Sequence, residues 1–384
     1  MLDGRVGRKD QFARLISAFG PAFNSTVDTK LINYAFTPRL LWDGKMFSRR
    51  ANAVFGLDYI FSDYDSDRSR NPSDAPIHIY TGEQHSVAAY GQVNVGLSDR
   101  IKVTIGGRLQ NVMAEAADRF NAGAPGASGF DAQQTPIDES DFQWAANIGL
   151  QYRITPQTSA FARFGRSFRI PTMDERIKPF TGQSLTLNTQ RSVDYEVGAR
   201  WSNKKVSLQA TAFWMDLTNE IHFNPATFAN INYQPTRRRG IETSATWRPN
   251  KEWSVNGHLT FTEAEFREGA FTGNDVPLVS PITSAITVDW QFMQTVGAQV
   301  GLTYASAKRM DNDENNFQPK LASYTLVDIG LRGRYKSLNW AARVNNLLDK
   351  EYSSYTVASA TTFGTYNAYP LPGRTLWFEL SLDF

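Results

Sequence analysis

Along most of this chain apolar and polar side chains alternate one residue at a time, the period of a β-strand whose two faces meet different surroundings. Ile101, Val103, Ile105 and Leu109 oppose Lys102, Thr104, Arg108 and Gln110, and Val193, Tyr195, Val197, Ala199 and Trp201 oppose Asp194, Glu196 and Arg200. Ile241, Thr243, Ala245 and Trp247 oppose Glu242, Ser244, Thr246 and Arg248. The chain ends in the same way, with Leu376, Phe378, Leu380, Leu382 and Phe384 set against Glu379, Ser381 and Asp383. The polar face is formally charged. In a soluble sandwich the apolar face would meet a second sheet, whereas in an outer-membrane barrel it meets lipid and the charged face lines a wet lumen.

The alternation predicts strands near 29-42, 47-61, 84-97, 101-111, 141-153, 158-168, 191-201, 206-218, 237-248, 253-266, 282-292, 296-306, 322-334, 339-348 and 372-384. Residues 1-28 are left as an N-terminal segment of uncertain kind, with a sixteenth strand or a short helix over 6-19, where FARLISAF suits either. Between the strands, short turns at DGKM (43-46), SDR (98-100), ITPQT (154-158), SNKK (202-205), RPNKE (248-252), around Gln294 and at YKSL (335-338) alternate with long connections. The long ones lie near 62-83, 112-140, 169-190, 219-236, 267-281, 307-321 and 349-371. Antiparallel strands with every long loop at one end are the pattern of outer-membrane barrels, which have tight periplasmic turns and elaborated outer loops. The fold class expected is therefore all-β: a transmembrane antiparallel barrel over 29-384, with about 15 or 16 strands.

Composition sharpens this picture by exclusion. Forty basic against 38 acidic residues give a formal net charge of +2, with no cationic excess for nucleic acid. Mean hydropathy is -0.41, and no stretch approaches the roughly 20 apolar residues of a spanning helix, but a barrel strand needs only about 9 to 11, half of them apolar. With no cysteine, and histidine only at His78, His85, His222 and His258, thiol chemistry and zinc-thiolate sites are excluded. Aromatic residues make up 13% of the chain. Tyr152, Trp201, Trp247, Trp290, Tyr304, Tyr335 and Trp340 fall outward near the short turns, and Phe384 closes the last strand, as interface anchors would. The opening MLDGRVGRKDQFARLISAFG has no secretory signal, so an exported barrel of this sequence is expected to lack its true beginning.

Particular residues resemble those of the TonB-dependent receptors: ARFGRSFRIPTMDE (162-175), SVDYEVGARW (192-201), RRRGIETSATWRPN (237-250), ARVNNLLDKEYSSY (342-355) and PLPGRTLWFELSLDF at the end. The resemblance implies an outer-membrane receptor that takes up a siderophore-like iron chelate, a vitamin or another scarce nutrient without covalent chemistry. It also implies a barrel of 22 strands around a plug, energised by the TonB complex through an N-terminal part and assembled by machinery that reads a terminal aromatic strand. No plug sequence is visible here, so the chain is expected to be the C-terminal part of such a barrel. Left with open edges in lipid, it would not be stable alone. QSLTLNTQR (183-191) stands where the family has a segment of the NPDLKPE type, which puts any contact of that loop in doubt.

Arg108, Arg163, Arg200, Asp194 and Glu196 fall on the inward face and are candidates to meet the ligand, against the plainer reading of paired charges that hydrate the lumen. Arg169, Asp174 and Glu175 of FRIPTMDE lie at the base of a long loop, either as a clamp near the ligand or as a structural corner in which Pro171 ends the ladder. The acidic segments 64-74 and DNDENN (311-316) read as solvated loops, since the second lacks the glycine and distal glutamate of a calcium loop. His258 is placed inward and His222 on a loop, each isolated, so no metal site and no cofactor are expected. A passive 16-stranded porin is the rival transport reading. A lipid hydrolase would need an acid partner for Ser254, Thr260 and His258, and none is apparent.

Overall fold

The computed structural model describes residues 3-16, 24-129, 133-176, 186-227 and 229-383. The first strands are β1 (Gly4–Leu15), β2 (Ser25–Phe36), β3 (Arg39–Met46), β4 (Arg49–Ser69), β5 (His78–Gly96), β6 (Ile101–Phe120) and β7 (Ile137–Arg153). Next come β8 (Thr158–Arg169), the single-turn helix α1 (Met173–Arg176), β9 (Gln190–Ser202), β10 (Val206–Thr218), β11 (Ile221–Asn224), β12 (Ala229–Asn232), β13 (Thr236–Trp247) and β14 (Trp253–Phe266). The chain finishes with β15 (Ile282–Met293), β16 (Val296–Ala305), β17 (Tyr324–Tyr335), β18 (Leu338–Asn345), β19 (Ser353–Ala358), β20 (Tyr366–Pro370) and β21 (Thr375–Leu382).

Seventeen of these form one antiparallel sheet. Because β2 and β3 pair end to end with the upper and lower parts of β4, the sheet is sixteen positions wide. Pro38 separates them: it has no amide to donate, while its carbonyl accepts from Leu57 N at 3.1 Å. β1 pairs with β2 over its whole length, so the segment read as strand or helix is a strand as far as Leu15; residues 17-19 lie outside the described residues. Among the described residues no ladder joins β1 or β3 to β21, so β1 and, below it, β3 bound one edge of the sheet and β21 the other.

The outward alternation is continuous from strand to strand. Val103, Leu150, Ala162, Val197, Ala212, Ile241, Phe261 and Ile282 lie directly across from one another on eight successive strands. Leu150, Val197, Ile241 and Phe261 are all exposed. An apolar ladder facing outward is what a sheet in lipid requires. Packed cores lie instead at the loop end: Tyr64, Tyr80, Ala114, Ala116, Ile137 and Met173 form one, and Tyr233, Ala264, Phe266 and Val276 another.

The turns follow the expected asymmetry, with three corrections. The first tight turn is Phe47-Ser48, not 43-46; both residues have positive φ, 52° and 61°, the conformation that two-residue hairpins need. β4, β5 and β6 run well past the positions where the alternation stops, so 62-69 and 78-83 are strand, and Ser66, Arg68 and Arg70 are buried rather than solvated. Above the bilayer both faces meet protein or water, and the contrast that writes the pattern disappears. Two loop hairpins, β11/β12 and β19/β20, carry no such pattern either.

Of the aromatics expected near the short turns, Tyr152, Trp201, Trp247, Trp290 and Tyr335 are exposed there, and Trp340 is half-buried over Gly333. Tyr304 is a correction: it sits at the long-loop end of β16, one residue before the strand stops. Trp253, unmarked by the sequence reading, pairs directly with Trp290 and stacks on it at 5.1 Å. Phe384 lies outside the described residues.

Candidate functional site: the charged inner wall and the interlocked loops above it

On the inner face of β8 and β9, the pleat places Arg163 opposite Glu196, with Asp194 two residues along. The Arg163 guanidinium donates to both carboxylates, to Asp194 and, at 2.9 Å, to Glu196. Arg108 donates to Asp58 at 2.6 Å and to Gln110 at 2.7 Å, with its guanidinium over Tyr90. Arg200 donates to Gln209 at 2.8 Å and lies over Phe161 at 4.5 Å. These five candidates thus share one wall, but three of them form a closed ion-paired group while Arg200 has no carboxylate partner among the described residues. Beside Arg163 and Arg200, which line it, a cavity of about 940 Å³ near the short turns is also lined by Arg49, Arg50, Lys102, Arg153 and the single carboxylate of Asp99, which pairs with Arg49, so that cations are in excess.

FRIPTMDE folds as a corner. Thr172 caps α1: its hydroxyl accepts from Glu175 N at 3.3 Å while the Glu175 carboxylate accepts from Thr172 N at 2.9 Å, a reciprocal capping box. The other Glu175 oxygen pairs with Arg169. Asp174 accepts from Tyr64 OH at 2.9 Å, Arg176 donates to Glu139 at 3.0 Å, and Met173 inserts into the adjacent core. Arg169, Asp174 and Glu175 are therefore engaged with each other and with neighbouring strands. Glu175→Ala removes cap and ion pair together and is expected to lower stability by about 1 kcal/mol, read as faster protease cleavage within 170-189 and an unchanged barrel.

The RRRG stretch splits across the sheet. Arg237 and Arg239 lie over Trp214 and pair with Asp216 at 2.8 Å and Glu263 at 2.7 Å. Arg238, on the opposite face, pairs with Glu220 at 2.7 Å.

The outer connections bind one another. Asp311 N donates to Thr356 O at 2.9 Å and Ala358 N returns to Asp311 O at 2.8 Å. Asn316 exchanges two hydrogen bonds with the Asp275 backbone, and Tyr233 OH donates to Glu314 at 2.9 Å. DNDENN is accordingly not a solvated loop: Asp311 and Asp313 are 2% and 3% exposed. Nor is His222 isolated, since its Nε2 lies 3.0 Å from Asp311 Oδ1. His258 stays apart, opposite Ser244 and Ala285. Burial, then the nearby Glu314 carboxylate, pushes the Tyr233 phenol up; burial, then the hydrogen bond to Asp311, does the same at Tyr355. Both hydroxyls keep their protons and act as donors.

Residues 5-347 match the family model described as "TonB dependent receptor-like, beta-barrel". The pesticin receptor of Yersinia enterocolitica is 22% identical over 356 residues, covering 88% of this chain and 50% of that protein. The ferrichrome outer membrane transporter/phage receptor of Escherichia coli K12 is 24% identical over 382 residues, covering 90% and 46%. The chain thus spans about half the length of the curated relatives it matches. Among solved structures, the ferric yersiniabactin uptake receptor FyuA from Yersinia pestis superposes with a TM-score of 0.79 at 17% identity, covering all of this chain and 58% of that one. The ferric-catecholate import receptor Fiu from E. coli K12 gives 0.76 at 17% identity, covering 100% and 61%.

Proposed function

Since this chain belongs to the TonB-dependent receptor-like β-barrel family of the outer membrane, we propose that it forms the wall and outer mouth of a receptor for energised uptake of a siderophore-like metal chelate. The observation that carries the reading is the family match along almost the whole sheet, joined to outer connections that bind one another above a charged lumen. Several of the similar proteins are named for iron-chelate uptake. The cationic cavity of about 940 Å³ favours an anionic cargo passing along that wall. In this reading Arg108, Arg163, Asp194, Glu196 and Arg200 face the passage, with Arg200 the one free to meet an anion. Arg169, Asp174 and Glu175 hold the loop base. The TonB complex would act through an N-terminal part of the receptor, and the assembly machinery would read the strand that ends in Phe384.

Cells that carry the gene and are starved of iron are expected to take up a radiolabelled ferric chelate in excess of a deletion strain. Collapsing the proton gradient should abolish that excess. Uptake that survives the protonophore and rises linearly with concentration would favour the passive-pore reading and remove this one.

A further inference from the structure

Two outer connections bring together His222, at the start of the β11/β12 hairpin, and Asp311 and Glu314, from the loop between β16 and β17. One donor atom from each lies within 4.8 Å of the others. The geometry points to a site for a divalent first-row transition-metal ion, best suited to zinc, that clasps these two loops together.

Three features beyond proximity carry this. The first is an orphaned donor: His222 Nε2 is buried and makes no hydrogen bond, although a carboxylate oxygen is 3.0 Å away. The two atoms are close without being hydrogen-bonded, and this Asp311 oxygen accepts instead from Asn312 N at 2.9 Å. The second is missing charge compensation. Among the described residues, no lysine or arginine lies within ion-pair distance of Asp311 or Glu314. The nearby cations are engaged elsewhere, Arg309 with Asp275 and Asp313, Lys320 with Asp275, and Lys308 on the Ser354 carbonyl. The Asp311 carboxylate, 2% exposed, accepts from Tyr355 OH and from Asn312 N but has only an imidazole as a counter-charge, and a buried carboxylate is costly unless a cation joins it. The third is orientation by outer groups, as at metal centres. Tyr355 OH holds the second Asp311 oxygen at 2.5 Å, Tyr233 OH holds Glu314 at 2.9 Å, and the Tyr233 ring stacks on His222 at 4.1 Å.

One imidazole and two carboxylates suit zinc, which accepts three protein ligands and a water at about 2.0 to 2.2 Å. Calcium wants six to eight oxygens and magnesium an octahedron of them. Because Asp311 also exchanges backbone hydrogen bonds with Thr356 and Ala358, a bound ion would tie the β11/β12 hairpin to the β19/β20 hairpin as well.

The test uses the protein extracted from membranes of cells expressing its own gene, stripped with a chelator and titrated with zinc chloride by calorimetry. One zinc per chain is expected, with His222→Ala and Asp311→Asn each weakening binding by more than roughly 100-fold and Tyr355→Phe by roughly tenfold. Retention of the compact band in unheated gel samples shows whether each variant is folded. Should the histidine or aspartate variant misfold, the Tyr355→Phe protein, which keeps the buried ring, decides. Cobalt in place of zinc should give the visible absorption of a four-coordinate nitrogen and oxygen site. No zinc bound by the unaltered protein, affinity unchanged in the folded variants, or calcium bound in preference to zinc would each overturn the assignment. None of these outcomes bears on energised uptake, which is read separately.

Discussion

Val197→Arg is expected to leave almost no folded protein in the outer membrane. Val197 is exposed on the outward face and sits in the middle of the apolar ladder, flanked across the sheet by Ala162 and Ala212. It is four residues from Trp201, an exposed aromatic beside the 203-205 turn, where the membrane interface is expected. At about 3.3 Å per residue and a tilt near 40°, that places it roughly 10 Å into a band some 25 Å tall, close to its middle. An arginine there costs about 2 to 4 kcal/mol against lipid. Thr260→Arg is the matching control, since Thr260 is on the lumen face directly across from Glu242 and the new cation would meet water and a carboxylate. The measurement is the amount of folded barrel in outer-membrane fractions. Equal recovery of the two variants would mean that the Val197 face does not meet hydrocarbon.

Gly240→Val is the second large effect, and its cause is steric. A Cβ on Gly240 would come within 1.9 Å of the Phe261 carbonyl oxygen and 2.8 Å of the Phe213 ring. The carbonyl belongs to the neighbouring strand, so relief requires the ladder itself to move, at a cost at or above the 1 to 3 kcal/mol usual for overpacking. Gly56 makes a useful contrast, because there the atoms nearest to a Cβ all belong to the Tyr90 side chain, from 2.3 Å. Tyr90→Ala should therefore rescue Gly56→Ala, whereas Phe213→Ala should not rescue Gly240→Val. Thermal melting of the proteins extracted from membranes of cells expressing the gene, followed by circular dichroism, distinguishes the two cases. A rescued Gly240 variant would show that the ring, not the strand beside it, sets the limit.

What could be read from the sequence was whatever the contrast between lipid and water imposes. The ladder through Val103, Val197 and Ile241, the opposed charges at Arg163 and Glu196, and the tight turns at 98-100 and 203-205 all follow from that contrast and were legible. It fades above the bilayer, which is why Ser66, Ala114 and Ala116 gave no hint that their strands continue into a packed core. The Pro38 interruption was hidden for a different reason: a strand broken for two residues and resumed on the same partner keeps its phase. His222, Asp311 and Glu314 come together only through loop packing, to which no local spacing rule applies. The capping box at Thr172 and Glu175 was within reach, since a threonine followed three positions on by glutamate is a local signal.

The mutual anchoring of the outer connections bears on how such a surface can change over generations. Asp311 holds the backbone of 356-358, Asn316 that of Asp275, and Glu314 the hydroxyl of Tyr233, so each segment serves as scaffold for another. Altering one alone strands buried polar groups in its neighbours, at about 1 to 3 kcal/mol apiece. Diversification of this surface should therefore come as exchange of the whole assembly between lineages, or as substitutions at exposed tips such as Phe363, and rarely as the piecemeal replacement of a single segment.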